Sequence, residues 1–220
     1  MIVFKDVSMT YHIRRFQKEV LKGISFVVPR QSALGICGAN GAGKSTLLRL
    51  MAGVEFPTRG KITRDMSVSW PIGYASAFQA SLTGADNVRF IARIYRRPEQ
   101  ELLEFVEDFA QLGPYLWQPI KAYSAGMHAR LAFGLSLAID FDCYLVDEVA
   151  GAGDERFQAR CHAEIERRRD HAAMVMVSHA APLLKAYCTT GAVLRDGKLE
   201  FFDTIDEAID RHQTYQRLAA

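Results

Sequence analysis

The chain has 220 residues, enough for one α/β domain with a substantial core and too few for two ordinary ones. Hydrophobic residues make up 49% and charged residues 24%, the balance of an ordinary soluble globular protein. The net charge of +2 gives no strong pull toward nucleic acid or lipid, and the four cysteines (37, 143, 161 and 188) form no C-x-x-C pair that would suggest a zinc site or a disulfide framework. A reducing cytoplasm is the expected compartment. Met1-Ile2-Val3-Phe4 runs straight into Lys5 and Asp6, without the pattern of a signal peptide. The longest candidate stretch, Ala129 to Ile139, falls short of the ~18 apolar residues that span a bilayer. Any membrane-spanning part is expected to come from another chain.

In chain order, Ile2 to Met9 and Ile24 to Val28 read as strands, the second stopped by Pro29. The polar stretch His12 to Glu19 between them reads as a hairpin loop. Ser32 to Cys37 is a short apolar strand. Lys44 to Ala52 has helical spacing in Leu47, Leu48, Leu50 and Met51, and Gly53 is a plausible C-cap. Val54 to Phe78 reads as small strands and loops. Helical patterns follow at Thr83 to Tyr95, capped by Thr83 or Asp86, at Glu99 to Leu112 between Pro98 and Gly113, and at Ser124 to Ile139. Cys143 to Val146 is a buried strand ending in Asp147-Glu148. Asp154 to Arg169 is a helix with a good N-cap. Ala173 to Val177 is another strand, followed by Ser178-His179. Ala192 to Arg195 and Lys198 to Phe202 flank the hairpin signal Asp196-Gly197, and Thr204 to Leu218 is a polar helix. The alternation of strands and helices in the second half predicts a mostly parallel sheet covered by helices.

Gly38-Ala39-Asn40-Gly41-Ala42-Gly43-Lys44-Ser45 fits G-x-x-x-x-G-K-[ST] and sits between a strand and a helix, the setting a phosphate loop requires. Glycines let the backbone curl round an anion with its N–H groups inward, and the positive end of the following helix favours phosphate. Lys44 is expected to reach the β- and γ-phosphates, and Ser45 to put its hydroxyl on Mg²⁺. The expected nucleotide contacts run from Gly38, Ala39, Asn40, Gly41, Ala42 and Gly43 through Lys44, Ser45 and Thr46. Asp147, at a strand tip about a hundred residues on, is placed to hold Mg²⁺, and Glu148 to orient or deprotonate an attacking water. Taken alone, an acidic pair after a strand is usually a solvated loop start; the phosphate loop upstream reverses that reading. His179, after the next apolar strand, is a candidate to contact the γ-phosphate and hold the water; a lone His in that position is more often structural, and the order of motifs favours the functional reading.

Ala122-Tyr123-Ser124-Ala125-Gly126-Met127-His128-Ala129-Arg130-Leu131 opens a helix about twenty residues before the acidic strand. It resembles the signature motif of ABC-type ATPases, usually Leu-Ser-Gly-Gly-Gln; Ser124 and Gly126 are kept, while the first Gly and the Gln are replaced. The resemblance covers the whole chain. It implies a P-loop NTPase fold of ABC ATPase type, a mixed α/β sheet core with a small antiparallel β part, as one ATP-binding domain over residues 1–220 with a helical subdomain at roughly 80–140. It implies ATP and Mg²⁺ as ligands, and a head-to-tail pair of copies in which Ser124 and Gly126 of one point at the γ-phosphate held by the other. Tyr11 occupies the position of the aromatic that stacks on adenine. Asp154 matches the loop that touches the partner's site and also suits a helix cap. Gln79, in the short segment Phe78-Gln79-Ala80-Ser81-Leu82-Thr83-Gly84, matches the glutamine that senses Mg²⁺ and water, or serves a plain loop role.

Within that superfamily, Ser69-Trp70-Pro71-Ile72-Gly73, Ser81-Leu82-Thr83-Gly84, Tyr123-Ser124-Ala125-Gly126-Met127 and Ala138 to Leu145 resemble the ATP-binding subunit of bacterial capsular polysaccharide exporters. The machine this implies has two copies of the chain at the cytoplasmic face of the inner membrane, two permease subunits from another polypeptide, and polysaccharide as cargo. O-antigen and teichoic-acid exporters share some of these motifs but often carry an added carbohydrate-binding domain; the chain's end at Ala220 favours the capsule branch. Another exported cargo, including a small molecule, stays open. A soluble ABC ATPase acting on nucleic acid or ribosomes would bring two cassettes, long coiled-coil insertions or basic stretches, and Arg167-Arg168-Arg169 is short and sits at a helix end. No nucleic-acid partner is therefore expected. A module that binds ATP without hydrolysing it is disfavoured by the presence of Lys44, Asp147, Glu148 and His179.

Overall fold

The computed structural model describes residues 1–13, 16–73, 78–147 and 154–219. Among them the elements run β1 (Ile2–Ile13), β2 (Phe16–Val28), β3 (Ala33–Cys37), α1 (Lys44–Ala52), β4 (Arg59–Arg64) and β5 (Val68–Ile72), then α2 (Gly84–Ile94), α3 (Glu99–Ala110) and α4 (Ala125–Ala138). They continue with β6 (Cys143–Asp147), α5 (Glu155–Arg169), β7 (Ala173–Val177), α6 (Ala181–Tyr187), β8 (Thr190–Arg195), β9 (Lys198–Phe202) and α7 (Ile205–Ala219). The described residues divide into two compact units: one holds Met1–Pro71, strand β6 and the chain from Arg168 on, the other Ile72–Asp140 and most of α5.

The first unit contains both sheets. A three-stranded antiparallel sheet has the order β2-β1-β4, and a six-stranded sheet has the order β5-β6-β7-β3-β8-β9. In the larger sheet β6, β7, β3 and β8 run parallel, and β9 returns antiparallel. The turn into β9 is made by Asp196 (φ 51°) and Gly197 (φ 82°), the pair of left-handed residues that a tight hairpin of primed type requires. Strands β3 and β7 are buried at every position, as strands covered on both faces must be.

Helix α1 sinks Leu47, Leu48, Leu50 and Met51 into a core shared with Ile2 and Phe4 of β1, Ile36 of β3, Leu145 of β6 and Val175 of β7. Each of those side chains contributes about 1.5–3 kcal/mol on burial. The helix stops at Gly53, whose φ of 76° turns the chain out and lets its N–H cap the last turn.

Two expectations change. The stretch His12 to Glu19 is mostly strand rather than loop: Tyr11 pairs with Lys18, His12 with Gln17 and Ile13 with Phe16. The ladder overrides the polar composition, because strand preference depends on pairing context. Helix α6 and the 3₁₀ turns Gly113–Trp117 and Ile120–Ala122 were not anticipated, each being too short to show a hydrophobic period.

In the second unit, α3 packs against both α2 and α4. Phe157 of α5 meets Phe109 of α3 edge-on at 5.5 Å and Phe133 of α4 at 6.2 Å. Gly134 of α4 faces the Phe109 ring of α3, where an added Cβ would lie 3.4 Å away in ordinary contact.

Candidate functional site: a phosphate loop at the strand ends

Three neighbouring parallel strands, in the order β6-β7-β3, end on the same side. Asp147 closes β6, Ser178 and His179 follow β7, and the loop 38–43 follows β3. The carboxyl ends of a parallel sheet are where ligands of α/β proteins gather, because the loops there are free to vary while the strands fix their roots.

The loop is shaped by its own sequence. Gly43 has φ 109°, and a Cβ there would come within 2.7 Å of Val20 Cγ1, so only glycine fits. Helix α1 starts at the next residue, with Leu47 N–H already bonded to the Gly43 carbonyl at 2.9 Å. Lys44 Nζ donates to the carbonyls of Gly38 (2.7 Å) and Ala39 (3.0 Å), tying the end of the loop back to its beginning. An ammonium has three donors, so one remains.

A cavity of about 480 Å³ opens over this loop, within the range of small-molecule sites. Its wall includes Tyr11, Asn40, Gly41, Gly43, Lys44, Ser45, Thr46 and Asp147. Eight of the residues expected from sequence thus share one cavity, drawn from β1, the loop, the head of α1 and the tip of β6. Phe16, Lys18 and Val20 of β2 also line it; the reading of His12 to Glu19 as a loop hid Phe16 and Lys18, though with Val20 they keep the period of two that marks a strand face. Ala39 and Ala42 line an adjoining cavity of about 540 Å³ with Lys18, Arg195, His212 and Tyr215. His179 lines a separate small one of about 90 Å³ with Cys37, Ser178 and His212. Burial and, after it, the positive charge of Lys44 hold the His212 imidazole below its ordinary range. Burial pushes the Cys37 thiol, next to the loop, up to about 11, so it enters the site as a neutral packing group. Glu148 lies outside the described residues.

The remaining candidates belong to the second unit. Ser124 caps α4, its Oγ accepting from the Met127 N–H at 3.3 Å. At Gly126 an added Cβ would meet nothing closer than Ser124 Oγ at 3.9 Å, so no packing within the described chain calls for glycine in this first turn. Asp154 caps α5 through Oδ1, which accepts from Phe157 N–H at 2.9 Å, while Oδ2 pairs with Arg130 of α4 at 2.6 Å. The Phe157 N–H first, and the Arg130 charge after it, hold this carboxyl below the usual range. Gln79 donates its side-chain amide to Ser81 Oγ at 3.3 Å. Its backbone is clamped by buried Asn87, which accepts from Gln79 N–H at 2.9 Å and donates to the carbonyls of Gln79 (3.3 Å) and Thr83 (2.8 Å). Asn87 escaped the sequence reading because it sits inside an ordinary helical pattern.

No helix among the described residues is long and apolar enough to cross a membrane. The description of ABC transporters matches residues 21–151, from β2 through the phosphate loop to just beyond β6. This chain belongs to the ABC transporter family. The family cassette resembles the ATP-binding protein BexA of Haemophilus influenzae at 46% identity, over 99% of this chain and 100% of that one. It resembles the capsule polysaccharide export ATP-binding protein CtrD of Neisseria meningitidis serogroup B at 47%, over 97% and 99%. The polysialic acid transport ATP-binding protein KpsT of Escherichia coli is 41% identical, with 99% of both chains covered. Among solved structures, a dimeric ATP-binding cassette in a post-hydrolysis state with ADP and Pi superposes with a TM-score of 0.80 at 20% identity, covering 93% of this chain and 99% of that one. The fold is that of an ABC ATP-binding cassette, a P-loop NTPase.

Proposed function

We propose that this chain is the ATP-hydrolysing subunit of an ABC exporter that moves capsular polysaccharide across the bacterial inner membrane. The observation that carries the ATPase reading is the shared cavity of the phosphate loop, the head of α1 and Asp147 at the ends of adjacent parallel strands. The capsule reading is supported by relatives at 46% and 47% identity, matched over nearly their whole length, one of them named for capsule export.

The triphosphate lies on the loop, where backbone N–H groups and the positive end of α1 offset its charge. Lys44 has one donor left for a phosphate oxygen. Ser45 Oγ and the Asp147 carboxylate are hard oxygen donors on one cavity wall, and would hold Mg²⁺ together with phosphate oxygens, supplying charge neutralisation. Tyr11 offers a ring face to the base. Glu148 takes the proton of the attacking water, His179 holds that water against the γ-phosphate, and Gln79 reports on the metal and water.

A second copy completes each site. Ser124 and Gly126 present the first turn of α4 to the γ-phosphate on the partner, the bare Cα at 126 leaving room for close approach. A membrane permease docks on the second unit. That unit exposes Leu82, Phe90, Ile94, Tyr115 and Trp117 around α2, with Phe90 54% and Ile94 55% exposed one helical turn apart, more apolar surface than a helix facing only water needs. The chain is then peripheral, on the cytoplasmic face of the membrane.

The test is ATP turnover by the full chain and by Glu148→Gln. The variant keeps ATP affinity and loses about 10²- to 10⁴-fold in rate, the usual worth of a general base. Equal rates would remove Glu148 from the chemistry.

A further inference from the structure

The hydroxyl of Tyr11 is held by side chains of α1 and the segment that follows it. It donates to Glu55 Oε2 at 2.5 Å and accepts from Arg49 Nη2 at 3.1 Å. Arg49 closes the circuit by donating from Nε to Glu55 Oε1 at 2.8 Å. The same Nη2 also reaches Thr46 Oγ1 at 3.2 Å, and the Tyr11 and Thr46 hydroxyls lie 3.3 Å apart. Arg49 stands one turn after Thr46 in α1. Glu55 is fixed just past the helix by its own N–H, which bonds to the Arg49 carbonyl at 3.3 Å, beside the Val54 N–H at 3.0 Å. The Arg49 and Glu55 side chains are about three-quarters buried, at 27% and 26% exposure, so the pair is shielded from much of the screening that weakens surface ion pairs.

A tyrosine ring turns about two side-chain bonds. Hydrogen bonds to its hydroxyl fix where the far end of the ring lies, and because the O–H and the accepting lone pair lie near the ring plane they favour one setting of that plane. The fixed partner here is the helix that also carries Lys44, Ser45 and Thr46. The aromatic wall of the cavity and its phosphate end are therefore held to one rigid body, at a spacing set before any ligand arrives. Binding sites gain affinity this way, because the ordering cost is met in folding and not on association.

We propose that Glu55 and Arg49 are positioning residues for nucleotide binding: they lock the Tyr11 ring in the orientation that stacks on a purine base, in register with the triphosphate site. The inference rests on the reading of Tyr11 as the base platform. It adds that the platform is aimed by an ion pair far from it in sequence, and that affinity for the base depends on that pair while affinity for the phosphates does not.

Calorimetric titration of the purified full chain with ATP, and separately with inorganic tripolyphosphate, tests it. Tyr11→Leu, which removes the ring, weakens ATP at least tenfold and leaves tripolyphosphate unchanged. Glu55→Ala and Tyr11→Phe each weaken ATP about threefold to tenfold, the loss expected for one or two hydrogen bonds, and leave tripolyphosphate unchanged. Tyr11→Phe keeps the ring and the fold, so its effect isolates the hydroxyl. Combined with Tyr11→Phe, Glu55→Ala costs nothing further, because the two act through one contact. If Tyr11→Leu leaves ATP affinity intact, the platform reading fails and the positioning role with it. If Tyr11→Leu weakens ATP while Glu55→Ala does not, or weakens tripolyphosphate equally, the positioning role alone is overturned.

Discussion

Lys44 shows how much of a site one residue can carry. Its ammonium spans the loop by bonding to the carbonyls of Gly38 and Ala39, and one donor remains at the cavity wall that Lys44 lines. Lys44→Ala removes a charged hydrogen bond to phosphate, worth about 1.5–3 kcal/mol, so the dissociation constant for ATP rises about 10- to 150-fold in equilibrium titration. This residue was legible in the sequence because everything that defines it lies within eight positions. Tyr11 was legible only through resemblance. What steadies it was not legible, because Glu55 is 44 positions away and a lone Glu beside a Phe-Pro turn carries no signal of its own. Phe16 and Lys18 were hidden by the polar neighbours that made their stretch read as a loop.

At the scale of elements, the longer helices and the buried strands followed from pattern, and the seven-residue α6 did not. Helix α1 begins at Lys44 and ends at Ala52 as its leucines and Gly53 require, and α2 is capped by Thr83, whose Oγ1 accepts from the Asp86 N–H at 3.0 Å. The tips of the sheets did not follow, because cross-strand pairing is not local: the β1–β2 ribbon extends to Ile13 and Phe16, and the polar residues between these strand formers masked them. The segment before α2 depends on a single buried amide in the same way. Asn87, 3% exposed, holds both the N–H and the carbonyl of Gln79. Asn87→Ala leaves those groups to find new partners and costs about 1–3 kcal/mol. Urea denaturation reads the loss, and hydrogen exchange locates it at residues 79–83. An unchanged midpoint would show that the clamp contributes nothing.

At the scale of the whole molecule, all four cysteines are buried. Burial pushes the thiols of Cys143, Cys161 and Cys188 from 9.0 up to about 12. Thiols that ionise later in the folded chain stabilise it most below pH 9. Above that, the unfolded chain sheds protons that the folded chain keeps, so stability falls as pH rises from about 9 toward 12. Chemical denaturation across that range follows the decline. Thiol labelling at pH 8 proceeds only as fast as the protein unfolds. Labelling of all four at the rate of free cysteine in the folded chain would contradict the burial.

In the proposed machine, ATP binding at this loop drives polysaccharide out of the cell. The most direct measurement replaces Lys44 with Ala in the bacterium that carries this chain, then locates polymeric sugar by cell fractionation. Polysaccharide trapped in the cytoplasm and a bare surface are the expected result, and the trapped polymer identifies the cargo. A normal capsule, with every other envelope sugar also in place, would contradict it and leave an ABC cassette whose cargo is something else.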